Sequence, residues 1–179
     1  MNQNLADILY SQIEIMDKVE ELGKQIEGDY KGKDLLVIGI LKGAFVFMAD
    51  LVRKIDLPMG IDFMAVSSYG SAAISSGEVK IVKDLDHSIK DKHILIVEDI
   101  VDTGLTLKYI KQILSKREPK SIKICCLLDK PSRRIADVYP EYVGFSIPDE
   151  FVVGYGLDFD EKYRNIPEVC ILKPAAYEK

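Results

Sequence analysis

Residues His93 to Leu107 read HILIVEDIVDTGLTL, and the fold class follows from this stretch. Its opening, Ile94-Leu95-Ile96-Val97, is an apolar run rich in β-branched residues, the pattern of a strand buried on both faces. The run turns acidic at Glu98 and Asp99, passes two aliphatics and reaches Asp102-Thr103-Gly104. Asp102 and Thr103 are N-cap types, and Gly104 permits close backbone approach. Leu107, Ile110, Ile113 and Leu114 then recur at helical spacing. The stretch predicts a buried strand, a tight loop and a helix whose N-terminus faces the carboxyl end of the strand.

That arrangement has a chemical use. The first N–H groups of a helix lack intrahelical partners and carry partial positive charge. Small residues between Thr103 and Thr106 let a phosphate sit against them. Three carboxylates just upstream would repel a bare phosphate. They make sense if they hold a divalent cation or accept hydrogen bonds from sugar hydroxyls. Phosphate, sugar and metal together describe a phosphorylated ribose.

Working outward, Leu5, Ile8, Leu9, Met16, Val19, Leu22 and Ile26 trace one face of a packing helix ending near Gly28, with Glu14 and Lys18 placed to pair across a turn. Leu35 to Leu41 reads as a second buried strand, followed by Lys42-Gly43-Ala44 and a helical stripe of Phe45, Met48, Leu51, Val52 and Ile55. On spacing alone, Lys42 is as readily a solvated loop lysine as a ligand. Met59 to Ser68 and Val79 to Val82 read as strands around a small, polar segment that is either a long hairpin loop or a lid. Lys120 to Leu128 is another apolar strand, ending in Asp129-Lys130-Pro131 with Arg133 and Arg134 beyond. Tyr142 to Ile147 and Val169 to Leu172 complete the strands, and the tail from Pro174 reads as loose. Phe151 reads as a core residue by sequence alone, though an aromatic after Pro148-Asp149-Glu150 also suits stacking on a base.

Strands alternating with helices predict an α/β fold with a mostly parallel central sheet flanked by helices. The segments from Met59 to Leu85 and from Tyr142 onward look less like βαβ units and suggest antiparallel additions, among them a small hood. With 179 residues and no linker or repeat, the chain is expected to form one domain, residues 1–179. A net charge of −5 argues against broad binding to nucleic acid or to an anionic membrane. No apolar run approaches the roughly 20 residues needed to span a bilayer, and the start lacks a signal-peptide pattern, so a cytoplasmic protein is expected. Cys125, Cys126 and Cys170 lack CxxC spacing and read as reduced thiols. His87 and His93 form no ligand-like cluster, which leaves magnesium on carboxylates as the plausible metal.

VEDIVDTG followed by a helix resembles the phosphoribosyl-pyrophosphate (PRPP) motif of type I phosphoribosyltransferases. Leu41-Lys42-Gly43, Ser68-Tyr69, Lys130 and Phe151-Val152 fall in the order found in the hypoxanthine(-guanine) phosphoribosyltransferases, most like their short bacterial forms. The resemblance covers nearly the whole chain. It implies transfer of the 5-phosphoribosyl group of PRPP to hypoxanthine and guanine, giving IMP or GMP and pyrophosphate, with Mg2+ as cofactor and a homodimer or homotetramer as the assembly. It implies that Glu98, Asp99, Asp102, Thr103, Gly104, Leu105 and Thr106 bind the ribose phosphate, with Asp102 accepting the purine proton. Lys42, Gly43 and Arg164 would bind pyrophosphate, and the Leu41–Lys42 peptide is often cis in such proteins. Lys130, Phe151, Val152 and Asp158 would surround the purine, with Lys130 donating to its 6-oxo group. Glu98, Asp99 and Asp158 would serve the metal. Ser68 and Tyr69 would open a lid covering about residues 69–79, and the N-terminal and C-terminal segments would form the base-binding hood.

Leu105 departs from the pattern, since many members carry Lys or Arg there. Which of Arg133 and Arg134 serves the site is open at this stage. Two other readings compete. A PRPP-sensing RNA-binding regulator on the same fold would need a basic face, which the net charge does not supply. A nicotinamide dehydrogenase would need G-x-G-x-x-G, and Gly154-Tyr155-Gly156 lacks the third glycine.

Overall fold

The computed structural model describes residues 3–68 and 79–177. The expected lid at 69–79, with Tyr69, lies outside the described residues except for the backbone of residue 79. The chain folds around six strands: β2 (Leu35–Leu41), β3 (Met59–Ser68), β4 (Val79–Lys83), β5 (His93–Val101), β6 (Ser121–Asp129) and β7 (Tyr142–Ser146). Their order across the sheet is β4-β3-β2-β5-β6-β7. All neighbours are parallel except β3 and β4, so the mostly parallel α/β sheet is as expected. The expectation of antiparallel additions is corrected at two strands: β3 runs parallel to β2, and β7 runs parallel to β6. The β6–β7 connection contains only a 3₁₀ turn at Pro131–Arg133. A parallel partner was therefore hidden from a reading that looked for crossover helices.

The central strands are buried on both faces. On one face α1 (Gln12–Tyr30) and α2 (Phe45–Val52) cover Val37, Leu95, Val97, Cys125 and Leu127. On the other, α3 (Leu105–Ser115) lays Leu107, Ile110 and Leu114 on Ile38, Ile94, Ile96, Ile124 and Cys126. Each fully buried aliphatic contributes about 1.5–3 kcal/mol of transfer free energy.

The first helix is shorter than expected. Leu5 to Tyr10 form a strand, β1, and the helix begins only after Ser11. Ser11 and Glu14 make a capping box: Glu14 Oε2 accepts the Ser11 N–H at 2.9 Å, and Ser11 Oγ accepts the Glu14 N–H at 3.4 Å. Glu14 is thereby committed to the cap, and Lys18 pairs with Glu21 instead. The buried stripe is Ile15, Val19, Leu22, Ile26 and Tyr30.

β1 belongs to a second sheet of order β1-β9-β8, with β8 (Val152–Val153) and β9 (Val169–Leu172). Both pairings are antiparallel. The tail expected to be loose forms a short helix, α4 (Pro174–Tyr177). No helix among the described residues is long and apolar enough to cross a membrane.

Candidate active site

Parallel strands leave a crevice beyond their carboxyl ends, where ligands of open α/β sheets bind. Here β2 delivers Lys42 and Gly43, β5 delivers Asp99 and Asp102, and β6 delivers Lys130. The strand β5 runs through Glu98 and Asp99 to Val101, so the first two carboxylates are strand residues and not loop residues.

A cavity of about 500 Å³ opens at these strand ends. Asp99, Asp102, Lys130, Phe151, Val152 and Asp158 all line it. Glu98 does not; successive strand residues point to opposite faces, and Glu98 is buried level with Cys126 under α3. Burial, then the charge of Asp99, raises the Glu98 carboxyl well above its usual range.

Asp99 occupies a narrow place. Its Oδ1 accepts the N–H of Ile100 at 2.8 Å, and its Oδ2 lies where a β-carbon on residue 43 would stand. Burial pushes its carboxyl up to about 6, partly offset by backbone donors and Arg164, with Asp158 adding to the rise. The Leu41–Lys42 peptide preceding Gly43 is cis.

The loop after β5 differs in detail from its expected cap. The N-cap of α3 is Gly104, at φ 78°, and not Asp102 or Thr103. Glycine adopts this left-handed geometry without strain. A side chain there would also press on Arg134 Cδ at 3.0 Å. Thr103 Oγ1 accepts the N–H of Leu105 at 3.4 Å, and the Thr103 carbonyl accepts N–H groups of Ile135 and Ala136 at 3.0 Å each. α3 therefore begins at the mouth of β5, a helix end of the kind that can receive an anion.

The two arginines after β6 separate cleanly. Arg134 is buried: its guanidinium pairs with Asp129, donates to the Val138 carbonyl at 2.6 Å and to the Asp102 carbonyl at 3.0 Å. It ties the 129–138 loop to the turn after β5. Arg133 lines the cavity, with Nε 3.1 Å from Asp102 Oδ1 and Nη1 3.5 Å from Asp149 Oδ2. Two adjacent residues of one type carried no sequence signal to divide these roles; the 3₁₀ turn does so.

Lys130 is 8% exposed. Its Nζ donates to the Glu150 carbonyl at 2.6 Å and lies 3.8 Å from Asp149 Oδ1. An ammonium has three donors, so capacity remains for a ligand acceptor. Phe151 is 37% exposed and not a core residue. Its ring stacks on Tyr177 with centroids 4.9 Å apart and meets Phe159 edge-on. Tyr177 also lines the cavity and was missed, because an aromatic near the end of an apparently loose tail has no distinguishing pattern.

Asp158 Oδ1 forms an ion pair with Arg164 Nη2 at 2.8 Å. Arg164 Nη1 donates to the Gly156 carbonyl at 2.8 Å. Gly156, at φ 102°, approaches the Gly43 carbonyl so closely that a side chain would overlap it. Lys42, Arg164 and Asp158 thus surround the Gly43 turn, although Lys42 and Arg164 do not themselves line the cavity.

The sequence profile of the phosphoribosyl transferase domain matches residues 6–160. The hypoxanthine-guanine phosphoribosyltransferase of Bacillus subtilis is 54% identical over 178 residues, which is 99% of each chain. The chain belongs to the hypoxanthine-guanine phosphoribosyltransferase family. A solved hypoxanthine phosphoribosyltransferase from Staphylococcus aureus superposes with a TM-score of 0.97 at 51% identity, covering 100% of this chain and 97% of that one. A Trypanosoma cruzi hypoxanthine phosphoribosyltransferase structure gives 0.93 at 41% identity, with 99% and 96% covered. Members of this family are enzymes, and no comparison supports an RNA-binding regulator. The dehydrogenase reading falls with it.

Proposed function

We propose that the chain transfers the 5-phosphoribosyl group of PRPP to hypoxanthine and guanine, giving IMP or GMP and pyrophosphate. The observation that carries this reading is one cavity holding a carboxylate at the phosphate loop, Asp102, opposite a buried lysine donor, Lys130. The names of the relatives agree with it.

The purine stacks on Phe151 and lies against the backbone of Val152, which belongs to an edge strand with unpaired main-chain groups. Lys130 donates to the 6-oxo oxygen. The amino group of adenine offers no acceptor there, and a buried donor left unpaired costs about 1–3 kcal/mol. Asp102 accepts the proton that the imidazole ring of the purine loses as the other ring nitrogen gains the sugar. Thr103, Gly104, Leu105 and Thr106 hold the 5′-phosphate at the start of α3. Leu105 offers no cation, so backbone donors carry that contact. Lys42, the Gly43 turn and Arg164 stabilise the leaving pyrophosphate; the planar fork of arginine suits phosphate oxygens.

The donor set fits Mg2+. Asp99 and Asp158 are hard oxygen ligands, with the charge of Asp158 adding to the rise at Asp99, and among the described residues no closed cage of His, Cys, Asp and Glu forms. Magnesium is commonly held by one or two carboxylates together with substrate phosphates. Asp99 and Asp158 would hold it; buried Glu98 instead supports the strand end and would meet a ribose hydroxyl only if the loop opens. When bound, the metal neutralises developing negative charge on pyrophosphate. The lid from Ser68 and Tyr69, cytoplasmic residence and assembly into a homodimer or homotetramer belong to the same reading; sedimentation measures the last.

Pyrophosphate release from PRPP and magnesium, with each base supplied separately, tests the function. Release with hypoxanthine or guanine, and none with adenine or uracil, is expected. Silence with every base from a chain that binds PRPP overturns the proposal.

A further inference from the structure

Beside the cations assigned to pyrophosphate stands an anion supplied by the chain itself. The Lys42 ammonium lies 2.9 Å from Glu161 Oε2, and Arg164 Nη2 lies 3.7 Å from the same oxygen. Both side chains thus converge on one carboxylate atom. Glu161 sits in a turn closed by mutual hydrogen bonds of Phe159 and Lys162 at 3.1 Å. Its N–H donates to Asp158 Oδ2 at 3.0 Å. Asp160, Glu161 and Tyr163 all have left-handed φ, at 53°, 59° and 77°. Side-chain-bearing residues adopt that region reluctantly, so the turn holds Glu161 over the cations against local preference. Arg164 Nε is buried and has no acceptor among the described residues, so its fork is not fully used. Lys42 and Glu161 are 66% and 67% exposed. An incoming anion can therefore reach their contact, and an exposed pair yields easily.

We propose that Glu161 is an internal counter-anion of the pyrophosphate subsite. It holds Lys42 and Arg164 converged while no ligand is bound, and a pyrophosphate oxygen must displace it. This rests on the assignment of Lys42 and Arg164 above. Binding then exchanges one ion pair for another, and apparent affinity falls by the fraction of chains in which Glu161 has let go. The same competition helps pyrophosphate leave, because the carboxylate recaptures the cations. Glu161 is a positioning residue here and touches no reacting atom.

Calorimetric titration of the full chain with inorganic pyrophosphate in magnesium buffer tests this, using wild type, E161Q, K42Q and the double variant. E161Q is expected to tighten pyrophosphate by about two- to fivefold, the range for an exposed pair. IMP affinity stays unchanged, and the gain shrinks in the K42Q background. In turnover, E161Q lowers the KM for PRPP, whereas a merely structural residue would lower thermal stability. If K42Q weakens pyrophosphate and E161Q does not tighten it, the counter-anion role is wrong and the subsite stands. If K42Q also changes nothing, the subsite assignment is wrong and the proposal goes with it.

Discussion

The Asp99 carboxylate fills the space that a β-carbon on Gly43 would take. The end of β2 and the end of β5 are thereby locked in register with no room to spare. Gly43→Ala must push one of them aside, and overpacking of this kind costs about 1–3 kcal/mol. Urea unfolding should show that loss, and PRPP affinity should fall with it. Wild-type stability in this variant would show that Asp99 can turn away freely.

Asp99 and Glu98 also set a pH dependence in the ligand-free chain. The Asp99 carboxyl is raised to about 6 when folded, whereas an unfolded aspartate titrates near about 3.9. The folded chain therefore binds more protons between those values. The favourable contribution is full below the unfolded value and is lost as pH rises through about 6. Glu98 is shifted in the same direction and extends the decline upward. Stability of wild type should fall from pH 5 to pH 7.5 more than that of Asp99→Asn. Equal slopes in denaturant series across that range would contradict the burial argument.

Arg134 and Arg133 should respond in opposite ways to truncation. Arg134 has only 7% of its side chain exposed, and its removal takes the guanidinium from a mostly enclosed Asp129, 14% exposed. Breaking such a pair costs about 3–5 kcal/mol. Arg133 is 48% exposed, and its loss should change stability by less than about 1 kcal/mol. Its effect should appear in turnover, because it contacts Asp102. Parallel unfolding and rate measurements on Arg133→Ala and Arg134→Ala separate the two; an unfolded Arg133→Ala would reverse their roles.

Asp102→Asn keeps the size of the side chain and removes the proposed proton acceptor. Turnover with hypoxanthine should drop about 10²–10⁴-fold, with the KM for PRPP little changed. Full turnover would assign the proton to another group.

The β5–loop–α3 unit was legible because its signals are local: a β-branched run, acidic residues, a glycine and a helical stripe within some two dozen positions. Lys42, Lys130 and Phe151 enter the candidate site only through resemblance, since each sits where an ordinary lysine or core aromatic would pass unnoticed. β1 was misread because Leu5, Ile8 and Leu9 match helical spacing, while its strand character comes from pairing with Val169 to Leu172. Local propensity yields to such distant partners. Glu98 shows a finer limit. Adjacent carboxylates look alike in a motif, but the pleat sends one to the cavity and the other beneath α3.

The pairing of β1 with β9 also dictates an order of assembly. On the ribosome, the segment that becomes β1 emerges before its partner β9, which follows on the order of ten to thirty seconds later at ordinary synthesis rates. The parallel sheet can close in the meantime, because β2 through β7 all precede β9 in the chain. The small sheet that contains Val152 cannot form until Val169–Leu172 have been made. A nascent chain would thus complete the proposed ribose-phosphate side well before the proposed base side, and nonsense truncation before Val169 is expected to leave a folded core that does not discriminate among bases.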